Sequence, residues 1–292
     1  MPTPIPPGPR RIVTFNSMPF AYQGLAGWIR HHGHHHVAVV TSPGPAARRS
    51  DAYREIVAAA PHDQDVVVTT RVKRLVAHLE ALEPDVILTY TFPFRLPSEI
   101  LRIPRYGAIN VHPTLLPAYR GPNPLRPLYD GAPVFGATVH WMDADFDTGP
   151  ILAQHSSPVP ADITPELVGR GMYLAASGVI GAGLAAAWRG DTGTPQDEAQ
   201  ASYAAPFSLD DEELDWDIPA QLYVRRVVAL QMLGHPVFGV IDGNREQIGH
   251  AVVVMGGVQR PGTIVAQIGA TYQIAVRDGV VAVTTVASTV EA

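Results

Sequence analysis

The sequence contains no cysteine, and this excludes three kinds of chemistry together. Disulfides, thiolate metal sites and cysteine nucleophiles all require the residue that is missing. Lysine is almost missing as well, since Lys73 is the single lysine among 21 basic residues. With 27 acidic residues the formal net charge is −6. This charge gives no general reason to expect a nucleic-acid or membrane partner.

Long apolar runs are also scarce. We find no uninterrupted run of about 18–20 apolar residues, the length that a membrane helix needs. The nearest candidate, Val179–Trp188, is short and rich in Ala and Gly. The proline-rich start lacks the apolar core of a signal peptide, and residues 1–10 are predicted to form a disordered leader. We therefore expect a soluble cytoplasmic protein without a membrane partner.

Apolar residues make up 46% of the 292 residues, enough for the cores of about two domains. In the first part of the chain, short apolar runs alternate with helix-spaced segments. This alternation is typical of an α/β, Rossmann-like, mostly parallel sheet covered by helices. Strands are predicted at Arg11–Phe15, Val37–Thr41, Asp65–Thr69, Asp85–Tyr90, Gly107–Val111 and Val134–Met142, and helices at Pro19–His32, Arg71–Leu82 and Thr164–Trp188.

After about Pro206 the pattern changes to short β-branched runs separated by turns. Several short strands at near-regular spacing predict a smaller, antiparallel, OB-like β-barrel. The predicted organisation is a leader over residues 1–10, an α/β catalytic domain over 11–190, a linker over 191–205 and the barrel domain over 206–292.

Three polar residues of the α/β part can support acyl transfer to an amine. Asn110 and His112 are two apart at a strand end, so their side chains point to the same side. Asp147 follows in a loop before Thr148-Gly149. An amide donor can stabilise an oxyanion, and a carboxylate beside an imidazole can accept and relay a proton.

Each of these features alone has a simpler interpretation. An isolated Asn-x-His is more often part of a turn than a catalytic pair. The triplet from Asp147 to Gly149 is compatible with a plain turn, and in an all-β protein it would indicate an aspartic protease. That alternative is disfavoured because the architecture is α/β rather than all-β.

The combination resembles one family. The string NVHPTLLPAYRG over residues 110–121, followed by MDADFDTG over 142–149, is similar to the signature of the folate-dependent formyltransferases. Weaker similarities flank it, at Arg11–Phe15, Gly33–Thr41 and Gln196–Glu198, so the resemblance spans nearly the whole chain. It implies a formyltransferase fold and transfer of a formyl group from the co-substrate 10-formyltetrahydrofolate to an amine.

The resemblance also implies residue roles. Asn110 would stabilise the oxyanion, His112 would act as a hydrogen-bond donor or proton shuttle, and Asp147 would deprotonate the amine and orient His112. Folate contacts are expected from the loop after the fourth strand, the turn after His112 and the segment before Asp147; core packing is the alternative for the two phenylalanines. The expected folate-binding residues are Tyr90, Phe92, Phe94, Arg95, Leu96, Leu116, Met142, Asp143, Ala144 and Asp145.

Several other residues are weaker candidates. The five histidines of the segment His31–His36 look like a metal-binding tract, but a solvated helix end explains them better, and no metal site is predicted. Arg48 and Arg49 could contact an anionic substrate, although a surface loop is the preferred interpretation. His140 is a candidate to line the catalytic site.

The charge of the C-terminal part bears on the acceptor. From Ala205 onwards it carries five basic and ten acidic residues, whereas a transfer RNA needs a basic surface. We therefore expect a small-molecule amine, such as an amino sugar, an amino acid derivative or an intermediate of specialised metabolism. Methionyl-tRNA is the alternative acceptor, and a folate hydrolase or folate-binding protein is the second alternative. The sequence leaves the oligomeric state open.

Overall fold

A seven-stranded sheet forms the α/β part of the protein, whose computed structural model describes residues 8–46 and 50–286. The sheet order is β3-β2-β1-β4-β5-β6-β7; β1 to β5 are parallel, and β6 is antiparallel to β5. This confirms the predicted mostly parallel α/β architecture. The strands are β1 (Arg11–Asn16), β2 (His35–Thr41), β3 (Asp65–Val68), β4 (Val86–Tyr90), β5 (Ala108–His112), β6 (Val134–Trp141) and β7 (Ile151–Pro158).

Seven α-helices lie along the described part of the chain. One predicted helix, Arg71–Leu82, is observed as a 3₁₀ turn, Val72–Leu75, followed by the short helix α3. The helices are α1 (Pro19–His31), α2 (Ala52–Ala59), α3 (Val76–Ala81), α4 (Ser98–Leu101), α5 (Arg126–Asp130), α6 (Pro165–Trp188) and α7 (Ala220–Met232). Residues 1–7 of the predicted leader, and both Arg48 and Arg49, lie outside the described residues.

The central strands are buried because helices lie against the sheet. Every residue of β4 is buried, as a strand within a covered parallel sheet requires. One apolar cluster joins β1, β2 and β4 to α3 and α4, with Phe15, Val40, Ile87, Leu79 and Ile100 among its members.

The long helix α6 corrects the expectation that the chain has no apolar segment of membrane-spanning length. It has 24 residues, and its mean hydropathy reaches 1.4, so by length and composition alone it could cross a membrane. Half of that segment is buried inside the protein. Gly183 faces Val139 of β6 so closely that an added Cβ would lie 2.4 Å from it. A long apolar helix buried against a sheet meets the same criteria of length and composition as a membrane-spanning helix.

The C-terminal part forms a five-stranded antiparallel sheet in the order β10-β11-β12-β9-β8. This confirms the predicted small antiparallel β domain. The β8–β9 hairpin turns through Asp242 and Gly243, whose φ values of +50° and +79° are those that a two-residue type I′ turn requires. The strands are β8 (Phe238–Ile241), β9 (Asn244–Val254), β10 (Ile264–Ile268), β11 (Thr271–Val276) and β12 (Gly279–Thr285).

The chain divides into two compact units. The first contains Met1–Arg120, Gly136–Ser156 and Met172–Tyr203, and the second contains Gly121–Phe135, Ser157–Gly171 and Ala204–Ala292. Each unit therefore draws on three separate stretches of the chain. The predicted boundaries after residues 10, 190 and 205 stay predictions.

Candidate active site

The candidate site lies at the end of β5 within the first unit. Asn110 and His112 lie on β5, and the pleat of the strand directs both side chains to one face. Asn110 is paired across the ladder with His140 of β6. Asp147 lies between β6 and β7 with a φ of +59°, in the left-handed region that Asp adopts more readily than most residues. Open α/β sheets bind ligands at such strand ends.

The carboxylate of Asp147 is central to this group. Its Oδ1 is 3.4 Å from Nδ2 of Asn110 and 3.4 Å from Nδ1 of His112. The same oxygen is 3.8 Å from Nε2 of His140. The side chains of His112 and Asp147 are only 6% and 11% exposed, so water screens their charges poorly. The three residues predicted as catalytic are therefore adjacent, and their roles stay predictions.

The orientation of the Asn110 amide is determined by its two neighbours. The hydroxyl of Thr89, on β4, donates to Oδ1 of Asn110 at 2.6 Å. Nδ2 of Asn110 lies 3.2 Å from Nε2 of His140. With its oxygen occupied on one side, the amide presents its N–H groups towards His140 and Asp147. The N–H directed at Asp147 makes the longer contact, at 3.4 Å, and is the one that can turn to an oxyanion.

His140 is neutral and acts as an acceptor. Its Nδ1 lies 2.7 Å from the carbonyl oxygen of Trp141, which only accepts, so Nδ1 carries the proton. Burial lowers the pKa of His140 to about 4, although the charge of Asp147 opposes the shift. Nε2 is then free of a proton and accepts from Asn110. His140, a weaker candidate on sequence grounds, is placed in the site.

In His112 the hydrogen-bonding roles of the two ring nitrogens are exchanged relative to those in His140. Its Nε2 donates to the carbonyl oxygen of Tyr119 at 2.9 Å, and this leaves Nδ1 facing the carboxylate of Asp147. Nδ1 of His112 and Oδ1 of Asp147 are both acceptors, so their contact is favourable only when a proton lies between them. The His112–Asp147 pair can therefore hold one proton. The family resemblance left open whether His112 is a donor or a shuttle, and both roles stay predictions.

Gln196 supports the Asp147 loop from a distant part of the chain. Its Nε2 donates to the carbonyl oxygens of Asp147 and Gly149 at 2.9 and 2.8 Å. Its Oε1 accepts from the guanidinium of Arg120, which also pairs with Glu198 at 2.7 Å. Sequence reasoning noted Gln196 only as a weak family similarity. No local pattern marks a glutamine that acts 49 residues away from its partner.

Gly149 allows the loop to close against β6. A Cβ at this position would lie 1.9 Å from the carbonyl oxygen of Trp141, so no other residue fits without moving the backbone. The N–H of Trp141 donates to the carbonyl oxygen of Pro150 at 2.9 Å directly beyond it. The close approach therefore fixes the position of the loop that carries Asp147.

The ten residues predicted to bind folate differ in exposure. Phe92, Phe94 and Met142 pack against the apolar cluster of the sheet, and Phe92 meets Phe15 edge to face at 5.1 Å. The two phenylalanines therefore contribute to core packing, as their alternative interpretation required. Tyr90, Phe92, Phe94, Leu96, Leu116 and Met142 are buried or half-buried, whereas Arg95, Asp143, Ala144 and Asp145 are exposed. Contact with folate stays a prediction for all ten.

An ion pair joins the two loops that are predicted to hold the pterin. Nη2 of Arg95, after β4, lies 3.2 Å from Oδ1 of Asp145, after β6. The guanidinium also lies 4.9 Å from the ring centroid of Phe146. The carboxylate of Asp143 accepts from the hydroxyl of Thr148 at 2.7 Å and so braces the second loop.

The turn after His112 is held by β6 and β7. The N–H of Leu116 donates to the hydroxyl oxygen of Thr138 at 3.1 Å. The carbonyl oxygen of Leu116 accepts from Nε2 of Gln154 at 2.7 Å. These bonds hold the turn that the family resemblance placed as a wall beside the folate, a position that stays a prediction.

The histidine tract packs on aromatic rings. His32 stacks on Trp28 with ring centroids 4.0 Å apart, and His34 meets Trp188 edge to face at 4.9 Å. His36 lies 2.8 Å from the hydroxyl of Thr14 through its Nε2. Across residues 8–46 and 50–286, no group of three or more His, Cys, Asp or Glu side chains is arranged to hold a metal ion.

Comparison with known proteins identifies relatives in sequence. Residues 10–176, more than half of the chain, match the Formyl transferase family. A methionyl-tRNA formyltransferase of Carboxydothermus hydrogenoformans is 34% identical over 265 residues, covering 87% of this chain and 84% of the relative. Another, of Roseiflexus sp., is 36% identical over 219 residues, covering 73% and 67%.

Solved structures share the fold. An N-formyltransferase of Helicobacter canadensis, in complex with folinic acid and dTDP-3-aminofucose, has a TM-score of 0.66 at 14% identity and covers 96% of this chain and all of its own. HypX of Aquifex aeolicus, in complex with tetrahydrofolic acid, has a TM-score of 0.65 at 18% identity, covering 94% of this chain and 44% of its own. At these identities the likeness is one of fold.

Proposed function

This chain belongs to the formyl transferase family, and we propose that it transfers the formyl group of 10-formyltetrahydrofolate to the amine of a small-molecule acceptor. The observation that carries this proposal is the position of the Asp147 carboxylate, within 3.4 Å of both Asn110 and His112. Two solved proteins of the same fold bind folate compounds, which supports the co-substrate.

The proposed reaction proceeds without a covalent enzyme intermediate. The acceptor nitrogen attacks the formyl carbon, and the carbonyl oxygen becomes an oxyanion that accepts from Nδ2 of Asn110. The nitrogen gives up its proton to the His112–Asp147 pair. The bond between the formyl carbon and N10 of the folate then breaks, and N10 takes a proton as tetrahydrofolate leaves. The pair returns to its starting state through this second transfer.

Substitution of the pair tests the catalytic assignment. Asp147→Asn and His112→Ala should each leave a folded protein whose kcat is lower on the order of 10²–10⁴-fold. Asp162→Asn, at an exposed carboxylate of the second unit, is the matched control and should leave kcat unchanged. Near-normal turnover in either site variant would contradict the role given to that residue.

The arginines of the C-terminal part support a small acceptor. Four of its five basic residues already bind partners within the second unit. Arg245 pairs with Glu213, Arg277 pairs with Asp217, and Arg225 and Arg226 donate to backbone carbonyls. Ten acidic residues accompany them in the same stretch. A surface of this kind offers few free cations to the phosphates of an RNA, which supply most of the affinity.

Methionyl-tRNA is the second candidate acceptor. It is favoured by relatives with that name that are 34–36% identical along most of the chain. The distinguishing experiment measures release of tetrahydrofolate from 10-formyltetrahydrofolate with no amine, with initiator methionyl-tRNA, and with panels of amino sugars, nucleotide-linked amino sugars and amino acids.

The proposal expects release that depends on a small amine. Efficient release with methionyl-tRNA alone would replace the proposed acceptor but leave formyl transfer intact. Rapid release without any amine would identify a hydrolase and contradict the transferase assignment.

A further inference from the structure

Neutral His112 has one ring proton and two neighbouring groups that can accept it. Its Nε2 lies 2.9 Å from the carbonyl oxygen of Tyr119, and its Nδ1 lies 3.4 Å from the carboxylate of Asp147. The carboxylate is the stronger acceptor, because a hydrogen bond to an ionised group is about twice as strong as one between neutral groups. The proton therefore stays on Nε2 only while the Tyr119 carbonyl is held close to the ring.

Tyr119 has a backbone conformation that needs support from its surroundings. Its φ of +59° lies in the left-handed region, which an aromatic residue rarely adopts. Such a conformation persists where neighbouring contacts stabilise it. The N–H of Tyr119 donates to Oγ of Ser202 at 2.9 Å, and the N–H of Arg120 donates to the Ser202 carbonyl oxygen at 2.9 Å. These two bonds, from the segment after α6, hold the N–H side of the turn.

Thr114 holds the carbonyl side of the same turn. It lies two residues after His112, in the same unit, and is only 2% exposed. Its hydroxyl lies 3.1 Å from the carbonyl oxygen of Ala118 and 3.3 Å from that of Tyr119. The hydroxyl has one proton, so it donates to both oxygens through a three-centre hydrogen bond. The Tyr119 oxygen thus accepts from Thr114 and His112 together.

We propose that Thr114 is a positioning residue for His112: by holding the Tyr119 carbonyl, it keeps the ring proton on Nε2 and leaves Nδ1 free to receive a proton from the acceptor amine. The inference rests on the proposed function. Thr114 acts only through the two carbonyls. Without its hydroxyl, the Tyr119 oxygen moves away from the ring, and the proton of His112 moves to Nδ1, where Asp147 accepts it. That nitrogen then has no lone pair for the proton of the amine.

Nitrogen NMR of protein labelled in histidine shows which ring nitrogen carries the proton, and it requires no substrate. Spectra are recorded at mildly alkaline pH, and the signals of His112 among the 12 histidines are those lost in His112→Gln. The intact protein should carry the proton of His112 on Nε2. Thr114→Val should move most of it to Nδ1, lower kcat about tenfold and leave the Kd for 5-formyltetrahydrofolate unchanged.

Three further variants separate positioning from packing. Thr114→Ser keeps the hydroxyl and should restore both the Nε2 proton and a normal kcat. Thr41→Val, at a buried threonine of β2, is the matched control and should change neither. Ser202→Ala, at an exposed residue, removes the acceptor for the N–H of Tyr119. It should move the proton of His112 in the same direction as Thr114→Val, but to a smaller extent.

Retention of the Nε2 proton in Thr114→Val would overturn the proposal, as would an equal shift in Thr41→Val. If Thr114→Val does not fold, Ser202→Ala decides, and an unchanged proton position in that variant would overturn the proposal in its place. Failure of the proposed function has a different signature. The intact protein would then transfer no formyl group to any amine, while the proton position would still show whether Thr114 orients His112.

Discussion

Asn110 illustrates how much a single side chain depends on its neighbours. An amide can present either its oxygen or its nitrogen to a substrate, and only the nitrogen stabilises an oxyanion. Thr89 donates to the oxygen of this amide, and neutral His140 accepts from its nitrogen. Both partners lie on strands next to β5, so the sheet itself selects the useful orientation.

Replacement of Thr89 by valine tests this selection. Thr89→Val keeps the shape of the side chain but removes the donor to Oδ1 of Asn110, so the amide is free to rotate. We expect kcat to fall about tenfold, the effect of one lost hydrogen bond of about 1.4 kcal/mol. The Kd for folate should change little. Steady-state kinetics and folate titration measure the two effects.

Thr41→Val is the matched control for that variant. Thr41 is a buried threonine on β2 whose hydroxyl has no hydrogen-bond partner within the described part of the chain. Its replacement should leave kcat unchanged and should not lower the melting temperature. An equal fall of kcat in both variants would indicate a general effect of the substitution and contradict the role of Thr89.

His36 links stability to pH at the residue scale. Burial lowers the pKa of His36 from 6.5 to about 4 in the folded protein. The unfolded chain therefore takes up the proton first, and the contribution of His36 is complete above pH 6.5 and is lost as the pH falls towards 4. The loss is roughly 3 kcal/mol at most, at about 1.4 kcal/mol per pH unit.

Urea unfolding at several pH values between neutral and acidic measures this linkage. The free energy of unfolding of His36→Gln should fall less steeply with decreasing pH than that of the unchanged protein. His62→Gln, at an exposed histidine after α2, should keep the original slope. Identical slopes for the unchanged protein and His36→Gln would show that His36 does not titrate in this way.

At the scale of elements, the loop between β6 and β7 carries the Asp147 carboxylate and is held from both sides. Gly149 fits against the end of β6, and Gln196 binds the backbone at Asp147 and Gly149. Arg120 in turn holds Gln196, so the segment after α6 acts as a brace for the loop.

Gln196→Ala should release this brace without removing a group that touches the substrate. We expect kcat to fall roughly tenfold, because a reactive group displaced by a small distance loses much of its advantage. The shape of the pH profile should stay the same, since the His112–Asp147 pair is intact. Gln200→Ala, whose side chain binds only the exposed Asp197 carboxylate among the described residues, should be neutral. A normal kcat for Gln196→Ala would contradict the brace.

The elements differ in how far the sequence predicts them. The strands β1, β2, β4 and β5 were predicted to within two residues because strands buried on both faces are continuous apolar runs. The helix α2 was missed because it is only eight residues long and buries a single residue, Ile56. The strand β7 was missed because its second half, from Gln154 to Ser157, is polar and mostly exposed.

Part of the candidate site was also predictable, because some of its residues form a local pattern in the sequence. Asn110 and His112 form a local pattern along one strand, and the family resemblance adds Asp147. Thr89 and Gln196 reach the site from 21 and 49 residues away from their partners. Their residue types are common and form no motif, so only the folded chain reveals what they hold.

At the scale of the whole molecule, charge distinguishes the acceptor classes. Of the five basic residues from Ala205 onwards, four bind partners within the second unit, two through carboxylates and two through backbone carbonyls. This distribution suits a small acceptor better than the continuous phosphate backbone of an RNA.

The salt dependence of turnover tests this distribution. With saturating monoglutamate donor and a small uncharged amine, kcat/KM for the acceptor should change less than about twofold between about 50 and about 200 mM salt, because few counterions are released. An RNA acceptor held by about six to ten phosphate contacts would instead lose on the order of 10³–10⁵ in affinity over the same range. A steep decline with salt, measured with any active acceptor, would therefore indicate a polyanionic substrate and contradict the proposed small amine. Arg245→Gln, at an arginine already neutralised by Glu213, should leave the salt dependence unchanged if the C-terminal arginines do not bind the acceptor.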